Sequence, residues 1–234
     1  WQLEGGAAAV NEAGRMRMQT WRLAQTLAAG NGERLQAHLD RFDQSLVLLR
    51  SGDPSRPLFV PHDAESRRSF ERVQSGWQAL RTRWSTAPAP TAAEAAAQAE
   101  TFVGHIDAFV TVVQRRQIGE LFAAVHELTL EIARYGEFNF LLSNGDWLFA
   151  HASTRLAYVI RQAPFAQAHL KDQDVTVDFS DVTSPEDRVA IIATLPLTDN
   201  EAWEVMPAGT LWWFAEGAPL QMLKTVAGPA PKAP

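Results

Sequence analysis

The sequence predicts an α + (α+β) chain: an antiparallel four-helix bundle, then a partial β-sheet domain with one leading helix. Apolar residues recur at an alternating 4,3 spacing up to about residue 117, and the period then changes to two. Clusters of Gly, Pro and Asn punctuate both halves. The expected organisation is a helical domain over 1–117, a sheet domain over 118–227 and a flexible Pro/Ala-rich tail over 228–234.

In the first helix Leu3, Ala7, Val10, Gly14, Arg17, Trp21, Ala24 and Ala28 follow the 4,3 spacing, which sets them along one face. Gly30-Asn31-Gly32 interrupts the pattern. Leu35, Leu39, Phe42, Leu46 and Leu49 carry the second stripe, closed by Ser51-Gly52-Asp53-Pro54, whose proline cannot continue a helix. The third stripe follows the Pro57 to Pro61 connection and runs through Phe70, Val73, Trp77, Leu80 and Trp84. The fourth follows Ala87-Pro88-Ala89-Pro90 and runs through Ala95, Ala99, Phe102, Ile106, Phe109 and Val113. Short breaks between helices of similar length favour an up-down order, because each stripe finds its nearest partner in its sequence neighbour.

Composition removes several function classes. The chain is 46% apolar, enough for real cores, and its net charge of -6, without a basic stripe interleaved with aromatics, argues against a nucleic-acid partner. No run reaches the roughly 18 apolar residues of a membrane span, and the first residues lack the basic and apolar regions of a signal peptide. A soluble chain is expected. With no cysteine there are no disulfides, thiolate metal sites or thiol nucleophiles. His38, His62, His105, His126, His151 and His169 are scattered without HExxH spacing, so neither a metal nor a cofactor is expected.

Arg17 breaks the pattern of the first helix, since an unpaired guanidinium on a core stripe is costly to bury. It either snorkels from the edge or pairs with Glu12 or another acid, or it forms an anion site with Gly14, whose missing side chain lets a small anion approach. Val10-Asn11-Glu12-Ala13-Gly14-Arg15-Met16-Arg17-Met18-Gln19-Thr20-Trp21-Arg22-Leu23 resembles the signature segment of the NarX and NarQ nitrate/nitrite sensor kinases of two-component systems, usually close to INxAGSLRMQSYRL. The likeness extends loosely to about residue 117, and Phe102 to Arg116 is similar to the last sensor helix of that family. It implies a periplasmic four-helix domain between two membrane spans, dimerising with nitrate held between two first helices. It assigns ligand-binding roles to Arg17 and Gly14; Arg15-Met16 stands where the family has Ser-Leu, and Trp21 where it has Tyr. Two Arg17 guanidinium groups facing across a twofold axis would repel until a planar anion accepts from both. The other basic residues, Arg22 included, read as solvated-face charges.

Beyond Gln117-Ile118-Gly119, Leu121 to Tyr135 reads as a separate helix ended by Gly136. Strands are expected over Phe138 to Ser143 and Trp147 to His151, joined by a type I′ turn at Asn144-Gly145. Further strands are expected over Arg155 to Arg161, Asp174 to Phe179, Arg188 to Thr194, and Thr210 to Phe214 with Gln221 to Lys224 across Glu216-Gly217. On Trp212-Trp213 the alternation of a strand sends the two rings to opposite faces.

The segments 138–145, 150–154, 173–179 and Pro196-Leu197-Thr198-Asp199-Asn200-Glu201-Ala202-Trp203 resemble the C-terminal part of class II glutamine amidotransferases of the YafJ type, over about residues 119–226. That resemblance implies an N-terminal cysteine nucleophile and a glutamine-binding front half, neither of which lies in this sequence, so no catalytic residue is carried over. Without the front half, an apolar face and open sheet edges are expected. His151 with Ser153 and Asp174, Asp178, Asp181, Asp187 or Asp199 could be imagined as a hydrolase triad, but no nucleophile-elbow sequence accompanies them. Ser153-Thr154 and Thr198-Asp199-Asn200 read better as turn or capping groups.

The expected function is a sensor of nitrate or nitrite at a homodimer interface, fused to a catalytically incomplete amidotransferase-like segment. The alternative is a class II glutamine amidotransferase-family protein, inactive or truncated, with an appended helical domain. The first places the helical half in the periplasm, with membrane contact only through spans outside this chain; the second places the chain in the cytoplasm.

Overall fold

The computed structural model describes residues 2–52, 63–165, 167–171, 176–177 and 184–225, without side chains for 2–7 and 176–177. The Pro57 to Pro61 connection, the tail from Gly228, and Asp174, Asp178 and Asp181 lie outside the described residues. The chain divides into two compact units, Trp1–Leu121 and Phe122–Pro234.

The first unit holds α1 (Gln2–Ala28), α2 (Gly32–Ser51), α3 (Ala64–Ser85) and most of α4 (Ala92–Ile132). Side chains cap three of the helix starts. Asn31 Oδ1 accepts from Arg34 N at 3.1 Å, Asp63 Oδ1 from Glu65 N and Ser66 N at 3.0 Å. Thr91 and Glu94 form a reciprocal box, Thr91 N donating to Glu94 Oε2 at 2.8 Å and Glu94 N to Thr91 Oγ1 at 3.3 Å. The expected stripes of α2, α3 and α4 are buried in one shared core, apart from Leu35 at its margin. Phe42 is its centre, stacked on Trp77 at 3.9 Å and tilted against Phe102 at 5.6 Å. Trp77 Nε1 donates to Asp43 at 2.6 Å and Trp84 Nε1 to Gln98 at 2.7 Å, so neither buried indole leaves its N–H unsatisfied.

Two expectations need correction here. Among the α1 residues with described side chains, Ala9, Glu12, Ala13, Met16, Thr20, Leu23, Ala24 and Leu27 are buried, so of the expected stripe Ala24 is buried while Gly14, Arg17 and Trp21 are not. Both sets have 4,3 spacing, and the one that enters the core lacks the guanidinium; Trp21 is left 41% exposed. Moreover, Leu121 to Tyr135 is not a separate helix, because α4 runs unbroken from Ala92 to Ile132. One glycine, Gly119, costs a helix only about 1 kcal/mol, and neither a proline nor a capping residue accompanies it. Among the described residues no helix is long and apolar enough to cross a membrane.

The second unit carries nine strands among its described residues: β1 (Phe140–Ser143), β2 (Trp147–Ala152), β3 (Leu156–Gln162), β4 (Ala168–His169), β5 (Thr176–Val177), β6 (Arg188–Ala193), β7 (Glu204–Met206), β8 (Thr210–Ala215) and β9 (Ala218–Lys224). One antiparallel sheet has the order β1-β2-β8-β9, a second β6-β3-β7, and β4 pairs with β5. Leu148, Ala150, Ala152, Trp212 and Phe214 of the first sheet share a core with Leu156, Tyr158, Ile160, Ala190, Ile192 and Met206 of the second. The opposite face of the first sheet holds Phe149 and Trp213, with Phe122 of α4 at 4.9 Å and 5.9 Å from them. Trp212 and Trp213 thus face opposite ways.

β4 and β7 were not expected, being too short to show a period. The type I′ turn is also not at Asn144-Gly145: Ser143 pairs with Leu148, and Asn144 Oδ1 accepts from Asp146 N and Trp147 N, closing a longer loop. It is Glu216-Gly217 that makes the two-residue turn, with Ala215 paired to Ala218 and φ of 50° and 67°. A Cβ on Gly217 would also collide with the Arg188 backbone carbonyl. Exposed apolar side chains do lie on the edge strands: Leu141 and Leu142 on β1, Val189 on β6, Val205 on β7, Leu220 and Met222 on β9.

Candidate functional site

Arg17 lies on the rim of α1, where its Nη1 donates to Asp107 Oδ1 of α4 at 2.8 Å. The partner is therefore an acid 90 positions away, while Glu12 pairs instead with Arg15, at 3.4 Å. Both members of the Arg17–Asp107 pair are nearly half exposed, 43% and 49%, so water screens it and its net contribution to stability is about 0–1 kcal/mol. Arg17 Nη2 sits 3.7 Å from the point a Cβ on Gly14 would occupy, so Gly14 and the guanidinium do adjoin. Any anion there competes with Asp107.

In the sheet unit the Thr198 to Trp203 motif is a clamp. Arg161 on β3 grips Glu201 with both forks, Nε to Oε1 at 2.6 Å and Nη2 to Oε2 at 2.7 Å. Thr198 Oγ1 donates to Glu201 Oε2 at 2.5 Å and accepts from Trp203 Nε1 at 2.9 Å. These contacts hold the Glu201 carboxyl below its usual range, the Arg161 hydrogen bond contributing most. Asn200 reaches the other way, accepting from His169 N at 2.9 Å and donating to Gln167 O at 2.7 Å; Asp199 bonds the His169 ring at 3.0 Å. Asp199, Asn200 and Glu201 thus fasten the motif to other segments, while the side chains of Thr198 and Trp203 bond within it.

His151 is 1% exposed, and both its ring nitrogens are engaged. The carbonyl of Phe138 can only accept, so Nδ1 carries the proton it receives at 3.0 Å, and Nε2 must accept from the Thr225 hydroxyl at 2.9 Å. Burial pushes the imidazole below its ordinary value of 6.5, so it is held neutral. Among the described residues neither a serine nor an aspartate bonds its ring. Ser153 N and Thr154 N donate to Asn139 Oδ1, Asp187 caps Ser184 N, and Asp199 is on His169, so no triad forms among the described residues. Nor do the described residues bring three His, Asp or Glu side chains into a metal-binding group.

A family profile described as glutamine amidotransferases class-II matches residues 99–233, more than half of the chain. The chain belongs to that family. A protein of Haemophilus influenzae named as a glutamine amidotransferase is 48% identical over 98 residues, 42% of this chain and 33% of the relative. The glutamine amidotransferase YafJ of Escherichia coli K12 is 48% identical over 97 residues, 42% of this chain and 38% of its own length. The chain therefore spans about a third of the length of the curated relatives it matches. A crystal structure described as that of a predicted glutamine amidotransferase from Pseudomonas aeruginosa is 44% identical, covering 44% of this chain and 41% of that one with a TM-score of 0.40. A second profile, the N-terminal region of type IV pili methyl-accepting chemotaxis transducers, matches residues 1–109. It names a transducer family, not the nitrate-sensor kinases.

In this member of the class-II amidotransferase family the sequence motifs located the clamp and the buried histidine but not their partners. Arg161 and Thr225 are ordinary strand and strand-end residues, and only the sheet register brings them to Glu201 and His151. Asp107 lies inside the Phe102 to Arg116 stretch, but no spacing there singles it out as the acid that meets Arg17.

Proposed function

We propose that this chain is the scaffold portion of a class II glutamine amidotransferase with an appended helical sensor-type domain. The observation that carries the reading is that, of the residues resembling the amidotransferases, Asp199, Asn200, Glu201 and His151 hold neighbouring segments together. None is a nucleophile, and these 234 residues contain no cysteine. The thiolate that attacks glutamine must come from elsewhere, and the apolar edges at β1 and β9 are suited to receive the segment that bears it. The intact chain alone is expected to release no glutamate from glutamine above a denatured control. Mixing it with a cysteine-bearing front segment of the Escherichia coli relative should yield a complex and glutaminase activity. Neither complex nor activity would dismiss the scaffold reading.

A second reading concerns the helical unit, which we take as an antiparallel four-helix bundle that dimerises in the periplasm and senses nitrate or nitrite through Arg17 and Gly14. It is supported by the exposed guanidinium beside Gly14, by Trp21 exposed on the same stripe, and by the transducer profile over residues 1–109. Nitrate at a hundredfold excess over its dissociation constant should stabilise the fold by about 2.7 kcal/mol, and Arg17→Ala should abolish that gain. Equal titration calorimetry for the parent and Arg17→Ala would end this reading.

A further inference from the structure

On the far side of α1 from Arg17, Arg15, Met18, Gln19 and Arg22 stand at i, i+3, i+4 and i+7, one face of a helix with about 3.6 residues per turn. His38 and Arg41 of α2 meet them, and the six side chains line a cavity of about 290 Å³. In a chain of net charge -6, three guanidinium groups converge here, and no acid is among the described residues of the lining. Arg15 shares its charge with Glu12 at 3.4 Å. Arg22 and Arg41 have no ion-pair partner among the described residues, so two positive charges face the cavity uncompensated.

Hydrogen bonds fix part of the remaining lining. Thr26 Oγ1 gives its proton to the Arg22 carbonyl at 2.7 Å, so towards His38 Nδ1, at 3.3 Å, it can only accept. That fixes a proton on Nδ1 and orients the ring. Gln19 Oε1 accepts from Ser45 Oγ at 3.5 Å, which leaves the Gln19 amide N–H groups for a ligand. Met18, 58% exposed, supplies an apolar wall. The volume falls just below the about 300–1,000 Å³ usual for pockets that hold drug-sized ligands, which suits a small ligand.

We propose that this cavity between α1 and α2 binds a small organic dianion with an apolar body, a phosphomonoester or a dicarboxylate. Two uncommitted guanidinium groups match two negative charges, and the Met18 wall takes the body of the ligand. The site is independent of both readings of function given above, and it gives Arg22 a role other than that of a solvated charge.

The test is titration calorimetry of the full chain with phenyl phosphate, succinate and acetate, in about 0.15 M salt so that charges beyond about 8 Å are screened. At least one dianion should bind saturably and more tightly than acetate, and which one does so tells phosphate ester from dicarboxylate. The double variant Arg22→Gln/Arg41→Gln, at exposed positions where circular dichroism should show an unchanged helix content, should weaken that binding roughly tenfold or more. Arg17→Ala should bind as the parent does. Absence of saturable binding by either dianion, acetate binding as tightly, parent-like binding by the double variant, or loss of binding in Arg17→Ala would each overturn the site.

Discussion

In Glu201→Ala, Arg161 loses two charge-assisted bonds of 2.6 and 2.7 Å, and Thr198 loses the acceptor of its 2.5 Å bond. The two charged side chains are only 14% and 13% exposed, so water does not replace what is removed. Breaking a buried pair from one side costs about 3–5 kcal/mol, against about 0–1 for an exposed pair. The residual exposure here sets the expectation near the lower end, about 3 kcal/mol. Replacing both partners, Arg161→Met with Glu201→Leu, removes the guanidinium together with the carboxylate and should recover much of the loss. Amide hydrogen exchange of β3 and β6 against urea reads this unit by itself, which matters because a chain of two units need not unfold in one transition. A single variant within about 0.5 kcal/mol of the parent, or a double variant as unstable as the single, would refute the assignment of the clamp. Acid supplies a second reading of the same pair. The folded Glu201 carboxyl lies below its ordinary 4.5, so its contribution is complete above that value and is lost as pH falls through the folded value. Acid sensitivity should therefore be smaller in Glu201→Ala.

Burial lowers the His151 pKa, so the neutral ring contributes stability that is full above 6.5 and declines as pH drops below it; unfolding midpoints of His151→Asn should change less with pH over that window. Gly217→Ala meets both a left-handed backbone and the Arg188 carbonyl, and should cost more than the about 1 kcal/mol of the backbone term alone, read as a lower urea midpoint for β8 and β9 exchange. Phe42→Ala removes the ring stacked on Trp77 and tilted on Phe102, with an expected loss of about 3–5 kcal/mol in exchange protection of α2 to α4, and a loss below about 1 kcal/mol would contradict its central place. Tyr158 is pushed up to about 12, by burial first and then by its 2.6 Å bond to Glu204; spectrophotometric titration should find it unionised until well above the ordinary tyrosine range.

Much of the architecture was decided by the sequence alone, wherever a pattern had one solution. The stripes of α2, α3 and α4 contain no competing apolar register, so reading them was enough to find the core around Phe42, Trp77 and Phe102. The alternation through β2, β3, β6 and β8 likewise placed those strands, because only period two puts Trp212 and Trp213 on opposite faces. Absence of cysteine settled that these residues carry no thiol nucleophile before any geometry was known.

Tertiary structure decided where two solutions competed or where a partner was distant in sequence. In α1 two stripes share the 4,3 spacing, and packing selected Ala13, Met16 and Leu23 over Gly14, Arg17 and Trp21, which keeps the Arg17 guanidinium out of the core. Asn144-Gly145 and Glu216-Gly217 both offered a turn; the strand register gave the two-residue geometry to the second, where the Arg188 carbonyl admits only glycine. The pairs Arg17–Asp107, Arg161–Glu201 and His151–Thr225 join residues 90, 40 and 74 positions apart. Local sequence carries no information about such pairs, since a hydrogen bond depends on where two backbones meet in space and not on what lies beside either residue in the chain.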